Sequence, residues 1–386
     1  MKKQKVINYG GQLILQKDIQ AVSKSLKNQL ITTGSTVLDF ENKLKNYVQS
    51  KYVSVCSSGT AALHLAFLSI DLKKNDIILM PAITFLSCYN MAKFCGAKIF
   101  LVDVDSQTGQ ITPKNVYECI KKNKLKKIKC LVTMHLGGYP REIYNFYLLK
   151  KKLNCFIIED ACHSLGASWK YKNKSYMVGS CKLSDVTCFS FHPLKSITTG
   201  EGGALSTNNK KIYEKSKLLR NHGLSVSRHW DYKCFDLGFN YRLSDINCAL
   251  GLSQLENINS FIQKRKKIYF KYKSFFEKLS KKIKFLVPEK DTNPSYNLFV
   301  LILPRKINIK NMMNFFLKKK IRLQIHYKPI YKFNIFLNNE KKIKLKNTEA
   351  YYASSVSIPI HAKLSGNDLS YIMNAFSIFF STKFKL

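Results

Sequence analysis

Between about residue 50 and residue 206 one pattern repeats: a short, almost wholly apolar run, a stretch with helical spacing, then another apolar run. The apolar runs are 52–56, 77–80, 98–104, 128–135, 155–160, 186–191 and 203–206, with helices expected near 61–70 and 84–95. Strands that stay apolar along both faces belong inside a sheet covered on two sides. Helices between them make the crossover connections of a parallel sheet. The expectation is an α/β fold, three layers deep with a mainly parallel sheet, and ligands at the strand ends.

The last third changes character. A helix near 261–279 carries Ile268, Tyr272, Phe275, Phe276 and Leu279 on one stripe, with lysines opposite. A strand near 297–303, a helix near 309–317 and a strand near 322–326 make a small α/β unit. Ser365 is placed to cap a closing helix that carries Leu369, Ile372, Met373 and Phe376. Two domains are expected, 1–255 and 256–386.

Charge is the loudest bulk property. Lysine and arginine number 64 against 24 acidic residues, a formal net charge of +40, which alone suggests a polyanion partner. The lysines are spread along the chain, however, in pairs and triplets such as Lys150-Lys151-Lys152, with no zinc-finger spacing and no RNA-binding aromatic signature. Together with abundant Ile and Asn they fit the drift of an AT-rich bacterial genome, so no specific nucleic-acid partner is expected. Eleven cysteines, an odd number without a CxxC pair, sit mostly in apolar runs and are expected to be reduced. Residues 1–15 show no secretory pattern and no apolar run reaches membrane-spanning length, so a cytoplasmic protein without membrane partners is expected.

Chemistry concentrates in a few segments. Lys195 follows the 186–191 strand, is fixed by Pro193, and precedes the glycine-rich Thr198-Thr-Gly-Glu-Gly-Gly203. A desolvated lysine amine is a nucleophile toward carbonyls and then a proton carrier. Asp160 ends the strand Cys155-Phe-Ile-Ile-Glu-Asp160, where a buried carboxylate needs a cationic partner. A protonated pyridine nitrogen is one; a metal or a helix cap are the alternatives, though no ligand cluster accompanies it. Ser57-Ser58-Gly59-Thr60-Ala61 joins a strand to a helix, which makes either an ordinary turn or a phosphate cradle. His163 and Ser190 fall within reach of the same strand ends, for a ring contact and a phosphate contact.

Taken together and in this order, the segments resemble the DegT/DnrJ/EryC1/StrS nucleotide-sugar aminotransferases, pyridoxal-phosphate enzymes of the aspartate aminotransferase fold (fold type I). The resemblance rests on Ser58-Gly-Thr-Ala-Ala-Leu-His64, Pro81-Ala-Ile-Thr-Phe85, Glu159-Asp-Ala-Cys-His163, Phe189-Ser-Phe-His-Pro-Leu-Lys195 and Gly238-Phe-Asn-Tyr-Arg242, and runs from about Ile7 to the final helix. Within the family the likeness leans to the enzymes that aminate C4 of a UDP-linked 4-keto-6-deoxy-N-acetylhexosamine in pseudaminic acid biosynthesis. Tyr9-Gly10, Ile325-His-Tyr-Lys-Pro-Ile-Tyr331 and Ser357-Ile-Pro-Ile-His-Ala362 carry that part.

The resemblance implies that Lys195 holds pyridoxal 5'-phosphate, that Asp160 meets its ring nitrogen, and that Phe85 stacks on the ring. It implies a phosphate contact from Thr60, Ala61 and Ser190. His163 reaches the ring or its oxygen, and Asn240 reaches the partner's site in a homodimer with shared active sites. Tyr9, Thr33, Gly34, His326 and Tyr327 are implied as sugar-nucleotide contacts, with L-glutamate as amino donor and no metal. Two segments depart from the pseudaminic pattern, Ser57-Ser58-Gly59-Thr60 and His135-Leu-Gly-Gly-Tyr139, and both touch substrate choice more than cofactor binding. Dehydratase relatives carry histidine at the lysine position, so Lys195 points to amino transfer.

Overall fold

The computed structural model describes residues 6–228, 230–336 and 343–383. Its first nine strands are β1 (Tyr52–Cys56), β2 (Ile77–Pro81), β3 (Lys98–Val102), β4 (Cys130–Met134), β5 (Phe156–Asp160), β6 (Ser168–Tyr171), β7 (Lys174–Met177), β8 (Val186–Ser190) and β9 (Gly203–Thr207). All but the β6–β7 hairpin join one seven-stranded sheet in the order β1-β9-β8-β5-β4-β2-β3. The run from β3 across to β8 is parallel, whereas β9 is antiparallel to both β8 and β1. The sheet is thus mainly parallel, and its strands fall within a residue or two of most of the expected runs.

Twelve helices accompany the strands among the described residues. The first six are α1 (Gln16–Ser25), α2 (Ser35–Val48), α3 (Gly59–Ser69), α4 (Leu86–Phe94), α5 (Pro113–Lys122) and α6 (Ile143–Leu153). Then come α7 (Lys210–Arg220), α8 (Asp245–Glu256), α9 (Ile258–Leu279), α10 (Ile309–Lys318), α11 (Lys346–Ser354) and α12 (Gly366–Lys383). α3 is apolar on nearly every side, with Ala61, Leu63, Leu65, Ala66 and Phe67 all buried. Such a helix must lie inside the protein, and it packs between β8, β9, α4 and α7. Its first turn is capped by Ser58, whose Oγ accepts the Ala61 N–H at 3.0 Å.

α2 begins at Gly34, which has no side chain to cap it. Asp245, fully buried at the start of α8, does so instead: its carboxylate accepts the Gly34 N–H at 2.8 Å and the Thr36 N–H at 3.1 Å. Beyond α7 an exposed hairpin of β10 (Leu224–Arg228) and β11 (Asp231–Cys234) projects from the chain, with Tyr232, Phe235 and Leu237 open to solvent.

The C-terminal part contains β12 (Lys284–Phe285), β13 (Thr292–Asn293), β14 (Phe299–Ile302) and β15 (Ser355–Ile358). β12, β14 and β15 form a small antiparallel sheet, and β13 pairs with β6. On α9, Ile268, Tyr272 and Phe276 are buried, while Phe275 and Leu279 pack at the edge of the same core. The chain start completes this unit: Ile7 donates to the Lys320 carbonyl and accepts from the Arg322 N–H.

The expected strand at 322–326 is not one. Ile321 and Gln324 make single bridges to Ile7 and Ser357, and nothing continues the ladder. Pro329, a few residues downstream, has no N–H to donate, and 324–328 instead runs along the wall of the main cavity. Ser365 does cap α12, accepting the Asp368 N–H at 3.1 Å. No helix among the described residues is long and apolar enough to cross a membrane, and all eleven cysteines are free thiols.

Candidate active site

The C-terminal ends of β5 and β8, the N-terminus of α3 and the 324–328 segment enclose a cavity of about 570 Å³. Parallel strands deliver this arrangement because their carboxyl ends all point the same way. Asp160, the last residue of β5, is buried, and its Oδ1 accepts the Cys162 N–H at 3.1 Å. Lys195 enters from the loop after β8, its N–H held by the His192 carbonyl at 2.9 Å. Its carbonyl accepts from Arg265 Nη2 at 2.9 Å. Desolvation, with a further push from Arg265, holds the Lys195 amine below the usual lysine range even though Asp160 pulls the other way. An amine so placed is available as a nucleophile.

His163 and Tyr327 share a wall. The Gly137 N–H donates to His163 Nδ1 at 3.2 Å, so the ring carries its proton on Nε2 and donates it to the Tyr327 oxygen at 3.0 Å. Burial, reinforced by Lys195, His326 and Arg265, keeps His163 neutral by holding it well below the usual histidine range. Burial and the Asp160 charge push the Tyr327 hydroxyl well above the ordinary tyrosine range. With its oxygen already accepting, that hydroxyl keeps its own proton to donate. His326 is pinned by Ser357, whose Oγ lies 2.8 Å from Nδ1, and burial drops it to about 3.

Of the thirteen site positions expected from sequence, nine line this cavity: Tyr9, Thr60, Phe85, Asp160, His163, Ser190, Lys195, His326 and Tyr327. Four do not. Ala61 is buried and its N–H is taken by Ser58, so the free amides at the head of α3 belong to residues before it. Asn240 bridges Asn221, and Thr33 and Gly34 line a second cavity of about 840 Å³ together with Arg220, Asn221 and Arg242. The main cavity also holds groups that sequence reasoning left unassigned, among them Thr84, His192, Glu201, Gln324 and Lys328. Thr84 carried a signal, since it adjoins Phe85 in the Pro81-to-Phe85 segment. Gln324 carried none, because only tertiary folding brings it beside Tyr9.

A phosphorylated aromatic aldehyde fits these walls. Gly59 leaves open a space that a side chain would close: a Cβ there would stand 2.8 Å from Ser190 Cβ and 3.1 Å from Cys162 Sγ. The N-terminus of α3 faces it with its unpaired amides, a ready anion seat. Thr84 Oγ1 lies buried on the wall with no hydrogen-bond partner. The Phe85 ring is 55% exposed, 5.8 Å from the Tyr327 ring, and free to stack on a planar ligand.

The model of the DegT/DnrJ/EryC1/StrS aminotransferase family matches residues 12–377. A Campylobacter jejuni UDP-4-amino-4,6-dideoxy-N-acetyl-beta-L-altrosamine transaminase is 36% identical, with 97% of each chain covered. The GDP-perosamine synthase of Escherichia coli O157:H7 is 30% identical over 95% of this chain and 96% of its own. Among solved structures, Helicobacter pylori PseC, an aminotransferase of pseudaminic acid biosynthesis, superposes with a TM-score of 0.90. It is 28% identical, covering 98% of this chain and all of that one. The fold, the cavity and these likenesses agree: the chain belongs to the DegT/DnrJ/EryC1/StrS aminotransferase family, whose enzymes work with pyridoxal phosphate.

Proposed function

We propose that this enzyme moves an amino group from L-glutamate to C4 of a UDP-linked 4-keto-6-deoxy-N-acetylhexosamine, the sugar UDP-2-acetamido-2,6-dideoxy-beta-L-arabino-hex-4-ulose of pseudaminic acid biosynthesis. The observation that carries the reading is the convergence of the Lys195 amine, the Asp160 carboxylate and the head of α3 on one cavity. The substrate choice is supported by the C. jejuni transaminase and by PseC, alike over nearly the whole chain.

Bound pyridoxal phosphate supplies an electron sink that stores the amino group between two half-reactions. Lys195 would hold it, with Asp160 at the ring nitrogen, Phe85 against the ring, and Thr60 and Ser190 at the phosphate. The chain's own contribution is then proton traffic and positioning. Lys195 Nζ, desolvated and with its basicity lowered, takes a proton from the donor's α-carbon and returns one to the sugar's C4. The Tyr327 hydroxyl, a fixed donor, can meet the sugar's keto oxygen, and Tyr9 and His326 shape the wall around it. One cavity serving both substrates in turn predicts ping-pong kinetics.

The remaining three positions, Thr33, Gly34 and Asn240, gather away from this cavity, and we place them at the site of a second copy in a homodimer. Exposed Phe235 and Leu237, 66% and 87% open, are large apolar side chains that such an interface would cover. The division into 1–255 and 256–386 is retained in the same sense, with Ile7 docking on the smaller part.

The test is incubation with L-glutamate, pyridoxal phosphate and a panel of UDP- and GDP-linked 4-keto sugars, with products identified by mass and NMR. Amination of the L-arabino-hexulose at C4 is the expected result. Preference for a GDP-linked 4-keto sugar, as the E. coli relative's name suggests for that protein, would replace the substrate assignment. No product from any sugar would overturn the pathway assignment.

A further inference from the structure

Arg265, on α9, is only 2% exposed, yet no carboxylate among the described residues pairs with it. Its planar fork points at neutral oxygens instead. Nη2 donates to the Lys195 carbonyl at 2.9 Å, and Nη1 to the Asn297 side chain at 3.1 Å and the Asn297 carbonyl at 3.4 Å. Burial lowers the guanidinium to about 10, so it stays charged at neutral pH. A buried cation held only by neutral dipoles is a costly way to brace a fold, and here one of its acceptors is the backbone of the reacting lysine.

Those contacts join two parts of the cavity. The Lys195 backbone is tied at both of its polar groups, the N–H to the His192 carbonyl and the carbonyl to Arg265. Asn297, the other anchor, is 4% exposed and belongs to a short segment that holds the wall formed by His163 and Tyr327. The Ser295 N–H donates to the Gly138 carbonyl and the Leu298 N–H to the Gly137 carbonyl, both at 3.1 Å. Ser295 Oγ donates to the His163 carbonyl at 2.7 Å. Gly137 is the residue whose N–H orients His163, and His163 in turn meets the Tyr327 hydroxyl. One guanidinium therefore stands between the backbone of the proton carrier and the segment that steadies the proton donor.

We propose that Arg265 is a positioning residue for amino transfer: by bridging the Lys195 carbonyl and Asn297 it sets the lysine against the His163–Tyr327 pair, and it leaves an unneutralised positive charge beside the lysine amine. The proposal rests on the amino-transfer reading above. The groups around that amine make the charge count. Desolvation lowers its basicity most; Cys162 and Asp160 raise it, and Arg265 lowers it again. His163 and His326 are kept neutral by burial, and Tyr327 retains its proton. Arg265 is thus the positive charge set against Asp160. A lysine at this position would keep the charge but lose the fork that spans two acceptors, whereas a glutamine would lose the charge.

The experiment compares Arg265→Gln, Arg265→Lys and Asn297→Ala with the native chain by two readouts. The first needs no turnover: acetylation of Lys195 by acetic anhydride in the apoenzyme is followed against pH by peptide mass spectrometry, with exposed lysines as the internal standard. The second is single-turnover kinetics of the glutamate half-reaction in the holoenzyme, with rate and apparent Kd separated. Arg265→Gln should move the Lys195 labelling midpoint to higher pH, and Arg265→Lys should leave it in place. Both should slow the half-reaction about 10- to 100-fold, the scale of a misplacement of about 1 Å, with little change in the apparent Kd for glutamate. Asn297→Ala, which removes only the side-chain acceptor, should slow it in the same sense, and it decides if Arg265→Gln does not fold. A native labelling midpoint in folded Arg265→Gln, or native rates in folded Arg265→Lys and Asn297→Ala, would show that Arg265 only braces the fold and would overturn the proposal. A native enzyme that never reacts with glutamate would sink the amino-transfer reading instead; the labelling midpoints, which need no turnover, then still tell whether Arg265 acts on the lysine.

Discussion

The Tyr327 hydroxyl lies 3.0 Å from His163 Nε2, and the proton between them belongs to the histidine because the Gly137 N–H already occupies Nδ1. A backbone amide thus sets the direction of a hydrogen bond two side chains away, and the tyrosine proton is left for the cavity. Tyr327→Phe should strand the His163 Nε2–H in a buried site, at a cost of about 1–3 kcal/mol. Urea unfolding measures it; an unchanged midpoint would show that the bond is not formed. The same variant should slow the sugar half-reaction more than the glutamate half-reaction, read by single-turnover kinetics of each.

Lys195→Ala should remove both the covalent anchor and the proton carrier. Turnover is expected to fall by at least about 10³-fold, and the visible absorbance of the purified protein should change with it. In the sugar half-reaction, where the Lys195 amine is free, the depressed amine is neutral at lower pH than an ordinary lysine, so the acid limb of that half-reaction's rate should fall below the reference value of 10.5. A limb at or above that value would contradict the desolvated placement.

Gly59→Ala tests the phosphate seat. The added methyl would meet Ser190 Cβ at 2.8 Å, closer than side chains approach, and relief would close the space in front of α3. Overpacking of this kind costs about 1–3 kcal/mol. On that scale cofactor affinity should drop about 10- to 100-fold, measured by titrating the apoenzyme with pyridoxal phosphate. Unaltered affinity would place the phosphate elsewhere.

Acid should unfold the protein early. Burial holds His326 at about 3 and His361 at about 4, against 6.5 for an open histidine. Depressed values mean that the unfolded chain binds these protons first. The stabilisation is therefore complete above about pH 6.5 and is lost as pH falls from there toward about 3. Urea midpoints should decline from about pH 7.5 to about pH 5, and more shallowly in His361→Asn. A flat profile across that range would argue against burial of both rings.

Much of this was legible in the chain because the constraints were local. β1 needed only an apolar run before Ser57-Ser58-Gly59, and Lys195, Asp160 and His163 stand at strand ends that hydrophobic patterning already located. What escaped was set by partners far off in sequence. Ser58 Oγ takes the Ala61 N–H, a bond that the spacing of the turn does not report. The 322–326 run is as apolar in places as a strand, but its pairing partners stop after one residue at Ser357. Gly34 took its place from Asp245, more than two hundred residues away, and no spacing rule reports that. Arg265 stands on a lysine-rich helix, and nothing local in the sequence says that it is buried.

β9, the strand of the seven-stranded sheet that runs against its neighbours, has a consequence for how this chemistry can change. Because β8 and β9 lie antiparallel side by side, the chain that carries Lys195 leaves and rejoins the sheet without a crossover helix. Both feet of the excursion are tied together where the Phe191 N–H meets the Gly202 carbonyl at 2.8 Å. The reacting residue therefore rides on a detachable arch over a closed seam. A different side chain at its crest would alter the reaction without disturbing a single strand pairing, so the catalytic repertoire of such a protein can be rewritten at one position while its framework stays as it is.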